Sequence, residues 1–192
     1  RGGNGADYKL ESFKSGLREN MVPGTADAVV TAASADEAAS LAASFETFIK
    51  QEAKISGNAE LSDKTVTFHV VGQGAHGASP QSGINAATFL ATFLNDYSFA
   101  EGAYSFINTI AEFIHEDFYG EKLGVAFEDE KMGKLTMNAG IVNFDPENSE
   151  NSLVTLNFRY PKGTSAEELQ AKVQATVGET VTATQGDRNQ EP

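Results

Sequence analysis

The chain has 192 residues, of which 40% are hydrophobic, and its 13 Phe supply enough apolar material for one large domain or two small ones. A formal net charge of -13 argues against nucleic acid and anionic membranes as partners, because both would repel the surface. No apolar run approaches the roughly 20 residues that cross a membrane, and the lack of Cys excludes disulfides and thiolate sites. These features predict a soluble, cytoplasmic protein.

The first half of the chain predicts strands around one capped helix. Ser34-Ala35-Asp36-Glu37 is a capping box that starts the helix, whose apolar stripe contains Leu41 and Phe45. The polar segment 19–24 is expected to be a loop. By their alternation of apolar and polar residues, strands are predicted over about 9–18, 28–32, 58–61 and 64–72.

The segment Gly74-Ala75-His76-Gly77-Ala78-Ser79-Pro80 places an imidazole between two glycines where a strand is expected to become a helix. Pro80 suits the first turn of a helix that runs to about Tyr97, with Ser79 as its cap. The glycines let His76 project and let the backbone come close to a ligand. The pattern fits a functional histidine and a surface histidine on a glycine-rich loop equally well.

The second half of the chain predicts two more helices and a hairpin. One helix covers about 103–115, and the last begins at the capping box Thr164-Ser165-Ala166-Glu167-Glu168. Asp145-Pro146-Glu147-Asn148 is a turn signal between two long strands. Strands are expected near 124–128, 134–144, 151–160 and 179–184.

The order of elements predicts an α+β fold with an antiparallel sheet and helices packed on one face. The two capping boxes also suggest that ferredoxin-like strand-helix repeats are duplicated in one chain, over about 8–62 and 133–185, joined by the segment 64–128. Chance similarity of two capped helices is the alternative. Both ends of the chain are turn-like and polar, so residues 1–192 are interpreted as a single domain excised from a larger protein.

Few other side chains are candidates for chemistry. Asn20 ends a strand in a loop and fits a ligand contact or a bond to its own backbone. Arg159, just before a proline at a strand end, fits a fork onto a carboxylate or a surface arginine. His69 is expected to be hydrogen-bonded and structural, and the sequence around His115 lacks metal-ligand spacing, so no metal site is predicted in this chain.

Three motifs together resemble the non-metal domain of the zinc aminopeptidase and carboxypeptidase family that includes carnosinase and carboxypeptidase G. They are the His76 segment, Asn20-Met21-Val22-Pro23, and Asn157-Phe158-Arg159-Tyr160-Pro161. The segment Ile114-His115-Glu116-Asp117-Phe118-Tyr119-Gly120-Glu121-Lys122-Leu123-Gly124 narrows the resemblance to the PepV-like bacterial dipeptidases, in which such a domain is doubled into a lid.

The resemblance implies a division of labour. A catalytic domain of the same polypeptide would hold two zinc ions, and this chain would close over it as a lid that is inactive alone. His76 would stabilise the oxyanion, while Asn20 and Arg159 would bind the C-terminal carboxylate of a dipeptide substrate. Two alternatives remain on sequence grounds, namely an ACT-like small-molecule sensing module and a dimerisation module.

Overall fold

The computed structural model describes residues 7–186. Within this range the protein is an α+β structure with one six-stranded antiparallel sheet and four α-helices, which confirms the predicted fold class. The helices are α1 (Ala35–Gln51), α2 (Ala86–Leu94), α3 (Glu101–Phe113) and α4 (Ala166–Val177). The strands are β1 (Tyr8–Ser15), β2 (Met21–Val22), β3 (Thr25–Ala32), β4 (Ser56–Ser62), β5 (Thr65–Val71), β6 (Ala75–His76), β7 (Glu128–Asp129), β8 (Gly133–Lys134), β9 (Thr136–Phe144) and β10 (Leu153–Arg159).

The large sheet joins the two halves of the chain. Its strand order is β10-β9-β1-β3-β5-β4, and all neighbours are antiparallel. β1 and β9 pair in the middle through Phe13–Ser15 and Val142–Phe144. β2 and β6 form a separate two-stranded ribbon, which the sequence did not predict. This ribbon brings His76 to the loop between β1 and β3.

The helices pack on one face of the large sheet, against side chains that alternate along the strands. Phe45 of α1 contacts Phe68 of β5 at 4.8 Å and Phe93 of α2 at 5.1 Å between ring centroids. Phe106 of α3 contacts Phe13 of β1 at 5.5 Å. Leu169 of α4 is buried in the same core cluster. These contacts place α1, α2 and α3 on the same side of the sheet.

Both predicted capping residues start their helices. Ser34 Oγ accepts the Glu37 N–H at 3.1 Å, and Ser165 Oγ accepts the Glu168 N–H at 3.2 Å. Acidic residues in the first turn of each helix face the positive end of its dipole. These starts depend on neighbouring residues alone, which is why the sequence was sufficient to predict them.

The helix predicted from Pro80 begins later than expected. Pro80 opens only a single 3-10 turn, and Ser79 makes no side-chain capping bond. Ile84 then pairs with Gln73 through main-chain bonds of 2.8 and 2.9 Å, which keeps the chain extended. α2 starts after Asn85, whose side chain is its cap. The prediction of Ser79 as the cap was wrong because this long-range main-chain pair overrides the local preference.

The strand predicted near 179–184 does not form. Side chains of α4 bind this segment instead: Gln174 Nε2 donates to the Val181 carbonyl at 2.8 Å, and Gln170 Nε2 donates to the Ala183 carbonyl at 3.0 Å. The strand predicted near 124–128 is likewise reduced to β7, which pairs only with β8. In both places the main chain finds hydrogen-bond partners outside the large sheet.

Candidate functional site

The His76 turn and the loop that contains Asn20 lie against each other. The β2–β6 ribbon places Met21 opposite His76, and the Gly77 N–H donates to the Asn20 carbonyl at 2.7 Å. The side chains of Asn20 and His76 are both exposed. Two segments that are far apart in the sequence therefore form one corner of the molecule, referred to below as the His76 corner.

The imidazole of His76 is held in one orientation. The Ala78 N–H donates to His76 Nδ1 at 3.0 Å, so this nitrogen is an acceptor. In a neutral imidazole the proton then resides on Nε2. No described residue bonds to Nε2. The turn thus presents an oriented N–H donor to whatever lies outside it.

Asn138 fastens the His76 corner to the sheet. Its side chain is only 3% exposed, and Nδ2 donates to the carbonyls of Glu19 at 3.0 Å and Met21 at 2.9 Å. These residues flank Asn20, so the two bonds from Asn138 hold the loop at a set distance from β9. Asn138 was not predicted from the sequence as a site residue. A signal was available, because Asn is disfavoured in strands and this one lies within an otherwise apolar stretch.

Three glycines allow the close approach of loop and sheet. A Cβ on Gly140 would lie 2.4 Å from the Glu19 carbonyl oxygen, and one on Gly77 would lie 2.8 Å from the Asn20 carbonyl oxygen. Gly16 has φ +81, and its Cβ would lie 1.9 Å from the Gly140 carbonyl oxygen. Any side chain at these positions would push the loop away from β9.

Arg159 lies on the sheet face to which the His76 corner is attached. β10 pairs with β9 so that Arg159 is opposite Thr136 and Asn157 is opposite Asn138. Paired residues project from the same face, and two residues along a strand span about 7 Å. Arg159 is exposed, and within residues 7–186 its guanidinium makes no ion pair or hydrogen bond. Arg159 therefore lies on the same sheet face as Asn138, which binds the loop that carries Asn20.

The other two histidines have internal partners. His69 Nδ1 lies 2.7 Å from Asp27 Oδ1 on the neighbouring strand. His115 Nδ1 lies 2.9 Å from Thr88 Oγ1, and its ring packs edge-on against Phe89 at 4.6 Å. Burial lowers the pKa of His115, because an imidazolium would lose its hydration there. Neither histidine is part of the His76 corner.

Across residues 7–186, no three His, Asp or Glu side chains converge in a way that could hold a metal ion. Asp117 lies two residues after His115. Its carboxylate accepts the main-chain N–H groups of Tyr119, Glu121 and Lys122 and so stabilises the loop that follows α3. Among the helices within residues 7–186, none is long and apolar enough to span a bilayer.

The amino-acid sequence of this chain is similar to those of bacterial proteins named as dipeptidases. The chain is 38% identical over 163 residues to the Beta-Ala-Xaa dipeptidase of Lactobacillus delbrueckii subsp. lactis, a match covering 85% of this chain and 33% of the relative. The match is to one third of a dipeptidase. A protein named as a dipeptidase in a bovine strain of Staphylococcus aureus is 33% identical over 158 residues, covering 82% of this chain and 33% of the relative.

A protein named as a dipeptidase in Staphylococcus haemolyticus is 32% identical over 162 residues, which is 84% of this chain and 34% of the relative. The chain thus spans about a third of the length of the curated relatives it matches. No family model matches the chain. The similarities support a relationship to part of a peptide hydrolase.

Proposed function

We propose that this chain is the lid domain of a PepV-like, cytoplasmic bacterial dipeptidase and that it closes over a catalytic domain of the same polypeptide. The lid supplies an oxyanion-stabilising imidazole and the groups that bind the C-terminal carboxylate of a dipeptide. One observation carries the proposal: His76 is exposed beside Asn20, and its Nδ1 is already bonded to Ala78, so Nε2–H is available to a partner outside the chain. The similarity to dipeptidases over most of the chain supports it.

His76 would act on charge that exists only during the reaction. When water attacks a peptide carbonyl, the carbonyl oxygen becomes an oxyanion, to which Nε2–H of the neutral imidazole donates. The bond from Ala78 keeps the proton off Nδ1, so the donor does not reorient in the transition state. Donors arranged in advance in this way contribute about 10²- to 10³-fold to kcat.

Arg159 and Asn20 would bind the carboxylate end of the substrate. A guanidinium matches a carboxylate with two parallel N–H bonds, and the Asn20 amide adds a further donor. A local cation is needed there, because the net charge of -13 would otherwise repel an anionic substrate. Since the site binds a free C-terminus, the enzyme would require a substrate whose C-terminal carboxylate is not blocked.

The two zinc ions implied by the family resemblance belong, in this proposal, to the catalytic domain. Residues 7–186 offer no convergent set of ligands for them. The contribution of this chain is therefore to bind the substrate, to orient it and to stabilise the oxyanion. Turnover would require both domains.

We also propose that the lid is an internal duplication, in which β1, β3 and α1 correspond to β9, β10 and α4. Antiparallel pairing of β1 with β9 in the middle of the sheet supports this, because a two-fold axis would relate them. The helices α1 and α4 also begin in the same way, each with a serine that accepts the N–H of a glutamate three residues later. Gly16 and Gly140 occupy corresponding positions in the two halves and lie next to each other, which supports a two-fold axis between them.

The test compares His76→Ala with His69→Ala in a full-length enzyme that contains this chain. Loss of the imidazole of His76 should lower kcat for a dipeptide by about 10²- to 10³-fold with little change in KM. His69→Ala removes a half-buried imidazole on β5 that is bonded to Asp27, and it should leave kcat within about twofold. A folded His76→Ala enzyme that loses less than about threefold in kcat would contradict the oxyanion role and favour the sensing or dimerisation alternative.

A further inference from the structure

Two buried polar atoms beside Arg159 lack partners. Thr136 Oγ1 and Asn157 Oδ1 are both buried, and neither has a hydrogen-bond partner among residues 7–186. Such atoms are uncommon in folded proteins, because a buried donor or acceptor without a partner destabilises the fold. They are the two such side-chain atoms found in the described range, and they belong to neighbouring positions of β9 and β10.

The register of β9 and β10 arranges these atoms around Arg159. Thr136 is directly opposite Arg159, and Asn157 precedes Arg159 by two residues on the same strand. Cross-strand partners and residues two apart project from the same face, so the three side chains form one patch. Asn138, opposite Asn157, ties this face to the loop that carries Asn20.

The hydrogen-bonding capacities of the three side chains complement a bound carboxylate. A threonine hydroxyl donates and accepts, an amide oxygen accepts only, and a guanidinium offers five donors. While Arg159 holds a carboxylate, Thr136 Oγ1 would accept one guanidinium N–H that does not face the carboxylate. Asn157 Oδ1 would accept one of the remaining guanidinium N–H groups. Each unpaired atom then gains a partner of the correct polarity, and the orientation of the guanidinium is fixed.

We propose that Thr136 and Asn157 complete the carboxylate site of Arg159 as positioning residues, whose side-chain oxygens accept guanidinium N–H groups and hold Arg159 towards the carboxylate. This inference rests on the proposed function, because the carboxylate is the C-terminal group of the dipeptide. It deepens that function by naming the residues that make recognition of a free C-terminus specific.

Thr136→Val removes the hydroxyl and keeps the side-chain shape. In the full-length enzyme it should raise KM for a dipeptide about tenfold, with little change in kcat. For the C-terminal amide of the same dipeptide, Thr136→Val should have the same KM as the wild type. Thr136→Ser keeps the hydroxyl and should restore KM. The thermal unfolding midpoint of Thr136→Val should be unchanged or higher, because the unpaired hydroxyl is gone, whereas loss of a structural hydrogen bond would lower it.

Thr155→Val is the matched control, since Thr155 lies on the same face of β10 but opposite Ile141. Its KM should equal that of the wild type. An equal rise in KM for Thr155→Val, an equal rise for the amide, or a Thr136→Val enzyme within about twofold of wild type would overturn the inference.

Asn157→Ala tests the positioning role. It should raise KM in the wild type but add nothing in an Arg159→Ala background, because it acts through the guanidinium. Additive effects of the two substitutions would overturn that role. If Arg159→Ala alone leaves KM for the dipeptide unchanged, the proposed function itself fails, which separates the two outcomes.

Discussion

Replacing Asn138 with Ala should loosen the corner that carries His76 and Asn20. The substitution removes two hydrogen bonds of 3.0 and 2.9 Å, to the carbonyls of Glu19 and Met21, from a side chain that is 3% exposed. Each such bond contributes about 0.5 to 1.5 kcal/mol net. The loss therefore amounts to about 1 to 3 kcal/mol, since the two carbonyls lie near enough to the surface to regain water.

Two assays measure this loss. For a domain of this size, 1 kcal/mol corresponds to about 2 to 4 °C in the unfolding midpoint, so Asn138→Ala should unfold about 2 to 12 °C below the wild type. In the full-length enzyme, kcat for a dipeptide should fall about tenfold. The fall should be smaller than for His76→Ala, because the imidazole remains but is less well oriented.

Asn143→Ala is the control for this prediction. Asn143 lies on the same strand, and its Nδ2 donates to the Asn151 carbonyl at 2.6 Å in an exposed position away from the His76 corner. Its loss should cost about 0.5 to 1 kcal/mol and leave kcat unchanged. Equal destabilisation by both substitutions, or an unchanged kcat for Asn138→Ala, would refute the view that Asn138 positions the corner.

Arg159→Ala should raise KM for a dipeptide through loss of the charged fork, and an amidated dipeptide should lose little further; equal losses for both substrates would give Arg159 another role. This chain alone should neither hydrolyse dipeptides nor keep zinc through dialysis, and two retained equivalents of zinc would contradict the division of labour. Because burial lowers the pKa of His115 below 6.5, its contribution to stability is present above that pH and lost as the pH falls. As the pH is lowered from about 7.5 to 5.5, the urea midpoint of the wild type should therefore approach that of His115→Gln. A constant difference between the two midpoints over this range would contradict the prediction.

Local patterns were sufficient for most of the fold. The capping serines Ser34 and Ser165 act on amides three residues away, and the alternating strands follow from the requirement to bury one face. The predicted start of α2 was wrong because the observed start depends on the main-chain pair of Gln73 with Ile84, and these residues are too far apart for a local sequence pattern to reveal their pairing. The strand predicted over 179–184 was wrong because the side chains of Gln170 and Gln174 bind this segment, which has no neighbouring strand as a partner.

By itself the sequence determined the chemical groups: an imidazole between two glycines, an amide in a loop and a guanidinium at a strand end. Only the tertiary structure decided how they are arranged. The Gly77 bond to Asn20, the clamp of Asn138 and the register of β10 on β9 connect positions that are distant along the chain. Such pairings are chosen by the burial of a whole sheet face, because a shift of one residue would turn every side chain to the wrong side. That free energy belongs to the assembled sheet and to no single segment.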